Sequence, residues 1–193
     1  MRILWCSTDK ISAVSILLAG WVLTGLGGPA MAQTATYNLN QSQAFSGLNA
    51  GTVTTTQLSP TEIQITLQLN SGFGLHETTS SNHYAFYFNT YGNVPVTVSG
   101  LPAGFTLNPL GSYGAPPFSG AFNYAISCAR SACGTGGPGY TGTLTFDITS
   151  SNGKALSLSA PATYNNQQLY FAVDLVNTGG SVTGNVGAVA SPH

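Results

Sequence analysis

Beyond residue 32 only six side chains carry a formal charge: Glu62, Glu77, Arg130, Asp147, Lys154 and Asp174. With His76, His83, His193 and two cysteines, these are the groups from which acid–base, metal or thiol chemistry would have to be built. They are densest in Gly74-Leu75-His76-Glu77-Thr78-Thr79-Ser80-Ser81-Asn82-His83. Two imidazoles and one carboxylate could hold zinc with a water in the fourth position, the arrangement of a metal-assisted hydrolase. The spacing is not the His-Glu-x-x-His of helical metalloproteases, and the surrounding pattern is loop and strand. The sequence therefore assigns no metal and no cofactor, and names His76, Glu77 and His83 as the candidate ligands should a metal bind. A glycosidase would need two carboxylates across a cleft. Asp147 alternates with Phe146 and Ile148, and Asp174 shares the parity of Tyr170 and Ala172, so both read as outward-facing. No Ser-His-Asp order, Gly-x-Ser-x-Gly elbow or phosphate-binding loop is present, and no catalytic residue is assigned.

Aromatic side chains are the other chemical resource. Of the nine tyrosines, Tyr87, Tyr91, Tyr113 and Tyr140 read as loop or outward positions, where a ring can stack on a sugar. Tyr91 and Tyr140 are the candidate binding residues of a carbohydrate-binding module. Both tryptophans, Trp5 and Trp21, lie in the first 32 residues. The run Thr54-Thr55-Thr56 resembles part of an ice-binding ladder, but it does not recur along the chain.

Those first 32 residues read as an export signal. Arg2 and Lys10 precede an apolar stretch over 11–28, and Pro29 leads into the small-x-small site Ala30-Met31-Ala32. Cleavage there leaves 193 − 32 = 161 residues, enough for one domain, and no second apolar run long enough to span a bilayer. In an oxidising compartment Cys128 and Cys133 most simply form a disulfide. Half a metal site, or a redox pair, fits their spacing less well. With four acidic against two basic groups, the remainder has no basic stripe for nucleic acid.

The elements that must position these groups are strands. Ile63, Ile65, Leu67 and Leu69 alternate with Gln64, Thr66 and Gln68, the pattern of a half-buried antiparallel strand. Val53–Leu58 precedes it across Ser59-Pro60, which suggests a hairpin. Further runs fall at His83–Asn89, Val94–Val98, Phe118–Ser127, Thr143–Thr149, Ala155–Ser159, Leu169–Val176 and Val182–Val189. Pro95 argues for an edge position. In the aromatic run, Tyr84, Phe86 and Phe88 read as one face. The expectation is an all-β fold: a single antiparallel β-sandwich or jelly-roll-like domain of about nine strands over residues 33–193.

The order of several short segments resembles a known family. They are Leu67-Gln68-Leu69-Asn70-Ser71-Gly72-Phe73, His83-Tyr84-Ala85-Phe86-Tyr87-Phe88-Asn89, Val96-Thr97-Val98-Ser99-Gly100-Leu101-Pro102-Ala103-Gly104-Phe105 and Phe118–Cys128 with Cys133-Gly134. Gly142–Ile148, Tyr170–Asp174 and Thr183–Ala188 continue the series. It resembles the ectodomains of PEP-CTERM (exosortase-sorted) proteins of Gram-negative bacteria. The resemblance implies an exported protein of surface, exopolysaccharide or biofilm biology. The family's Val-Pro-Glu-Pro-like motif, span and basic tail have no counterpart before Ala190-Ser191-Pro192-His193, so the expectation is a freely secreted relative, with a truncated gene model as the alternative. The expected function is a non-enzymatic, secreted or surface-associated contact protein. Its expected partners are exopolysaccharide or a second copy, with no nucleic acid and no membrane span after cleavage.

Overall fold

The computed structural model describes residues 32–45, 47, 49–76, 83–134 and 137–191. The segment read as an export signal, apart from Ala32, lies outside these residues, as does Glu77. Residues 32–193 form one compact unit. Among the described residues no helix is long and apolar enough to cross a membrane.

Alternation of apolar and polar side chains sets the strands. In chain order they are β1 (Thr34–Ser42), β2 (Gly51–Ser59), β3 (Glu62–Leu69), β4 (Phe73–Leu75), β5 (Phe86–Phe88), β6 (Val96–Ser99), β7 (Phe105–Leu107) and β8 (Tyr113–Gly114). They continue as β9 (Ala121–Phe122), β10 (Tyr124–Cys128), β11 (Leu144–Ser150), β12 (Ala162–Tyr164), β13 (Gln167–Leu169), β14 (Phe171–Asn177) and β15 (Thr183–Ala190). The fold is all-β, as expected. The count exceeds nine because several strands are only two or three residues long, below what periodicity can register. Ala155–Ser159 contributes only an isolated bridge, Leu158 to Thr90. Phe118–Ser127 divides into β9 and β10.

Ten strands form one antiparallel path, β6-β11-β3-β2-β1-β15-β14-β5-β10-β7, and β4 adds to β14. The hairpin read across Ser59-Pro60 is β2–β3. The path folds back on itself, so Phe146 of β11 meets Phe86 and Phe88 of β5 at 5.6 and 6.2 Å between ring centres. This is the face-to-face packing of a sandwich, made by a single nearly closed sheet. Near its open seam the Tyr124 hydroxyl accepts from Val96 N at 3.1 Å and donates to Val94 O at 3.2 Å. It thereby draws the β6 edge, which Pro95 precedes, toward β10. The enclosed core includes Leu39, Val53, Ile65, Leu67, Phe86, Phe88, Ile126, Phe146, Phe171 and Val186. Each large apolar side chain buried there contributes about 1.5–3 kcal/mol.

A second, smaller core lies on the other side of the sheet. Tyr87, Ala125 and Ala172, from β5, β10 and β14, are covered by Ala115, Phe118, Phe122, Ala162 and Leu169. The covering residues come from in and around the two-stranded ribbons β8–β9 and β12–β13. Cys128 and Cys133 are disulfide-bonded and close the single helical turn α1 (Arg130–Cys133) at the end of β10.

Candidate functional site

The titratable cluster forms where β14 changes neighbours. Phe-Ala-Val-Asp-Leu-Val-Asn sends Phe171, Val173 and Leu175 into the main core, and Ala172 into the second one. One edge of β14 pairs with β15 throughout. The other is shared by β5 opposite Phe171–Val173 and β4 opposite Leu175–Asn177. Asp174 sits at the handover: its N–H donates to Ala85 O at 3.3 Å and its carbonyl accepts from His76 N at 3.0 Å. His76 and His83 thus arrive at one carboxylate although six residues separate them. Close backbone approach holds β4 there. Leu75 exchanges backbone hydrogen bonds with Tyr140, and a side chain at Gly74 or Gly139 would run into the opposing backbone.

His83 Nδ1 lies 3.3 Å and His76 Nδ1 3.9 Å from Asp174 Oδ2. The Asp174 side chain is 3% exposed, against 25% for His76 and 47% for His83. Burial pushes the Asp174 carboxyl above the usual aspartate range. The charges of His83 and His76, and a hydrogen bond to His83, pull it only part of the way back. Burial likewise raises the Tyr87 phenol, whose oxygen accepts from Tyr84 N at 2.9 Å and lies near Asp174. Across the ladder, Asn185 of β15 stands opposite Asp174 and donates through Nδ2 to Pro116 O at 2.7 Å. Asp174 Oδ1 and Asn185 Oδ1 are buried without a protein hydrogen-bond partner. Chemically the cluster is one buried carboxyl with two more exposed imidazoles at one of its oxygens.

The structure therefore brings His76 and His83 together, but around Asp174. Glu77 lies outside the described residues. Among the described residues no group of three or more His, Cys, Asp or Glu side chains is disposed to hold a metal ion. Asp174 has the parity read from the sequence, yet it is buried rather than solvated, because the second core covers that side of β14. The signal was present: Phe171–Val176 is a nearly unbroken apolar run, the mark of a strand covered on both faces. Asp147 is half-buried on the outside of β11, where it accepts from Gln64 Nε2 at 3.0 Å, far along the sheet path from Asp174.

The tyrosines part company as well. Tyr87 is fully buried beneath Phe122, and Tyr84 packs with it instead of with Phe86 and Phe88. Tyr140 is half-buried, with its ring edge-on to Phe105 at 5.0 Å and its hydroxyl donating to Thr143 O at 3.2 Å, so it serves packing. Tyr113 is half-buried and donates to Pro109 O. Tyr91 is different: it is 71% exposed, at the head of the 3₁₀ turn Tyr91–Asn93, where Gly92 takes a left-handed φ of 67°. Beneath that turn, Asn123 accepts from Thr90 N at 3.1 Å, and its Nδ2 donates to Thr90 Oγ1 and Asn93 Oδ1 at 3.2 and 3.0 Å. A satisfied buried network of this kind rigidifies what stands on it. The chain matches no protein-family model, no curated protein and no solved structure.

Proposed function

We propose that the protein is exported and acts without catalysis, as a contact protein of an extracellular matrix or cell surface. The observation that carries this reading is the outer face of β1, β2, β3 and β11. Register aligns Thr36, Thr54, Thr66 and Thr145 in one cross-strand row. The next row holds Thr34, Thr56, Gln64 and Asp147 and runs on to Ser99 of β6. Hydroxyl and amide groups thus repeat at the strand spacing of about 4.8 Å. With so little charge, the face offers weak electrostatic repulsion to a second copy or to a neutral polymer.

The test is sedimentation velocity on the purified protein over a range of concentrations. Concentration-dependent oligomers are expected, and Thr54→Lys with Thr66→Lys should shift them toward monomer. A monomer at every concentration, or oligomers indifferent to the two lysines, would overturn the reading.

A further inference from the structure

The nearly closed sheet has a mouth. At one end of its interior, inward-facing side chains of β1 and β2 stop short of filling the space and leave a cavity of about 150 Å³. Tyr37 and Thr55 form its polar wall. They are 9% and 7% exposed, and their hydroxyls lie near each other. Two neighbouring hydroxyls offer donors and several acceptor lone pairs. Gln57 also lines the mouth, and its Nε2 is bound to Ser59 O at 2.6 Å, which fixes the amide and leaves Oε1 to accept. Ala35, Ile63 and Leu158 add apolar surface, Ser157 and Gln33 complete the lining, and no lining residue is charged.

Tyr91 stands beside this opening. Its N–H donates to Ser157 O at 2.9 Å, and Leu158 bridges to the preceding Thr90. The buried Thr90–Asn93–Asn123 network thus holds an exposed ring one backbone hydrogen bond from the rim of a neutral polar cavity. Barrel mouths are common small-ligand sites. Fixed hydroxyl and amide groups, an apolar patch for C–H surfaces and an aromatic platform together suit a saccharide ring, while the lack of charge favours no ionic ligand.

We propose that the barrel mouth binds the end of a neutral glycan, one sugar ring entering against Tyr37, Thr55 and Gln57 and the next lying against Tyr91. The cavity is smaller than the roughly 300–1,000 Å³ of pockets that enclose drug-sized ligands, so it takes a chain end and not a chain interior. This goes beyond the contact role and fails or stands separately from it.

The experiment is an array of neutral and acidic oligosaccharides probed with the purified protein, followed by calorimetric titration of any ligand found. Binding to neutral glycans with a defined terminal sugar is expected, with acidic ones no better. Tyr91→Ala should weaken it about tenfold, the loss of one stacked ring. Ser157→Trp, which blocks the mouth from an exposed position, should abolish it. No glycan bound at millimolar concentration, a preference for acidic chains, or binding that survives both substitutions would overturn the proposal. Loss of glycan binding with self-association intact would remove this site and leave the contact role standing.

Discussion

The outside of this sheet has two fates. Over β5, β10, β14 and β15 it is roofed by the second core; over β1, β2, β3 and β11 none of the described residues covers it and its side chains remain partly exposed. Asp174 and Asp147 make the comparison sharp, because both occupy outward positions in seven-residue strands. On the open face the carboxylate keeps solvent and one amide partner. Under the roof it loses solvent, gathers two histidines, and leaves one oxygen without a partner. The residue type is the same, so what sets its chemistry is the layer above it. Desolvation outweighs the two imidazoles, and the carboxyl titrates above its usual range.

The largest test of that difference is to damage the roof. Tyr87 is fully buried between the sheet and Phe122, with ring centres 5.6 Å apart. Tyr87→Ala should cost about 3–5 kcal/mol in urea unfolding, through lost burial and the cavity left behind. A cost below about 1 kcal/mol would mean that the second core is not a packed core.

A smaller effect follows from proton linkage. The folded-state pKa of Asp174 is raised above the usual value of 3.8, so between 3.8 and that raised value the folded protein holds more protons than the unfolded chain. The stability from this group is therefore fully present below pH 3.8 and is lost as pH climbs through the folded value. Asp174→Asn removes the titration while keeping the shape beside Asn185, His76, His83 and Tyr87. The expected result is a flatter dependence of the urea midpoint on pH in that window. Asp147→Asn, the open-face control, should change stability by no more than about 0.5 kcal/mol. Equal slopes in wild type and Asp174→Asn would break the comparison.

How much of this was legible in the sequence depends on range. Period-two alternation in Ile63–Leu69 and Thr143–Thr149 identified β3 and β11, because each strand needs only one face buried and its own residues say which. The β2–β3 hairpin was equally local. The roof was not legible, since it is made by two- and three-residue strands brought over the sheet by tertiary contacts. Tyr87 and Asp174 were therefore placed on the correct side and given the wrong environment. His76 and His83 were recognised as neighbours in sequence, but their shared partner lies about 90 residues further on and is reached only through register. Tyr91 and Tyr140 looked the same in sequence, and only the structure separates the exposed ring from the packed one.

Register also explains the threonines, and it sets the smallest prediction. Thr54–Thr56 does not recur along the chain, yet Thr36, Thr54, Thr66 and Thr145 come from four strands to form a row. A repeat built by pairing leaves no period in the sequence. Thr66 and Thr145 share a hydroxyl–hydroxyl hydrogen bond at 3.2 Å, whereas the partly exposed Thr54 hydroxyl can be removed without stranding a side-chain partner among the described residues. Thr54→Val keeps the β-branched shape and should change the unfolding free energy by less than about 0.5 kcal/mol. The adjacent Thr55 points inward, is buried and lies beside the Tyr37 hydroxyl, so Thr55→Val, which takes a polar neighbour from that phenol, should cost about 1–3 kcal/mol. Equal costs at the two positions would mean that the Thr54 face is covered after all, and the contrast between the two sides of the sheet would disappear with it.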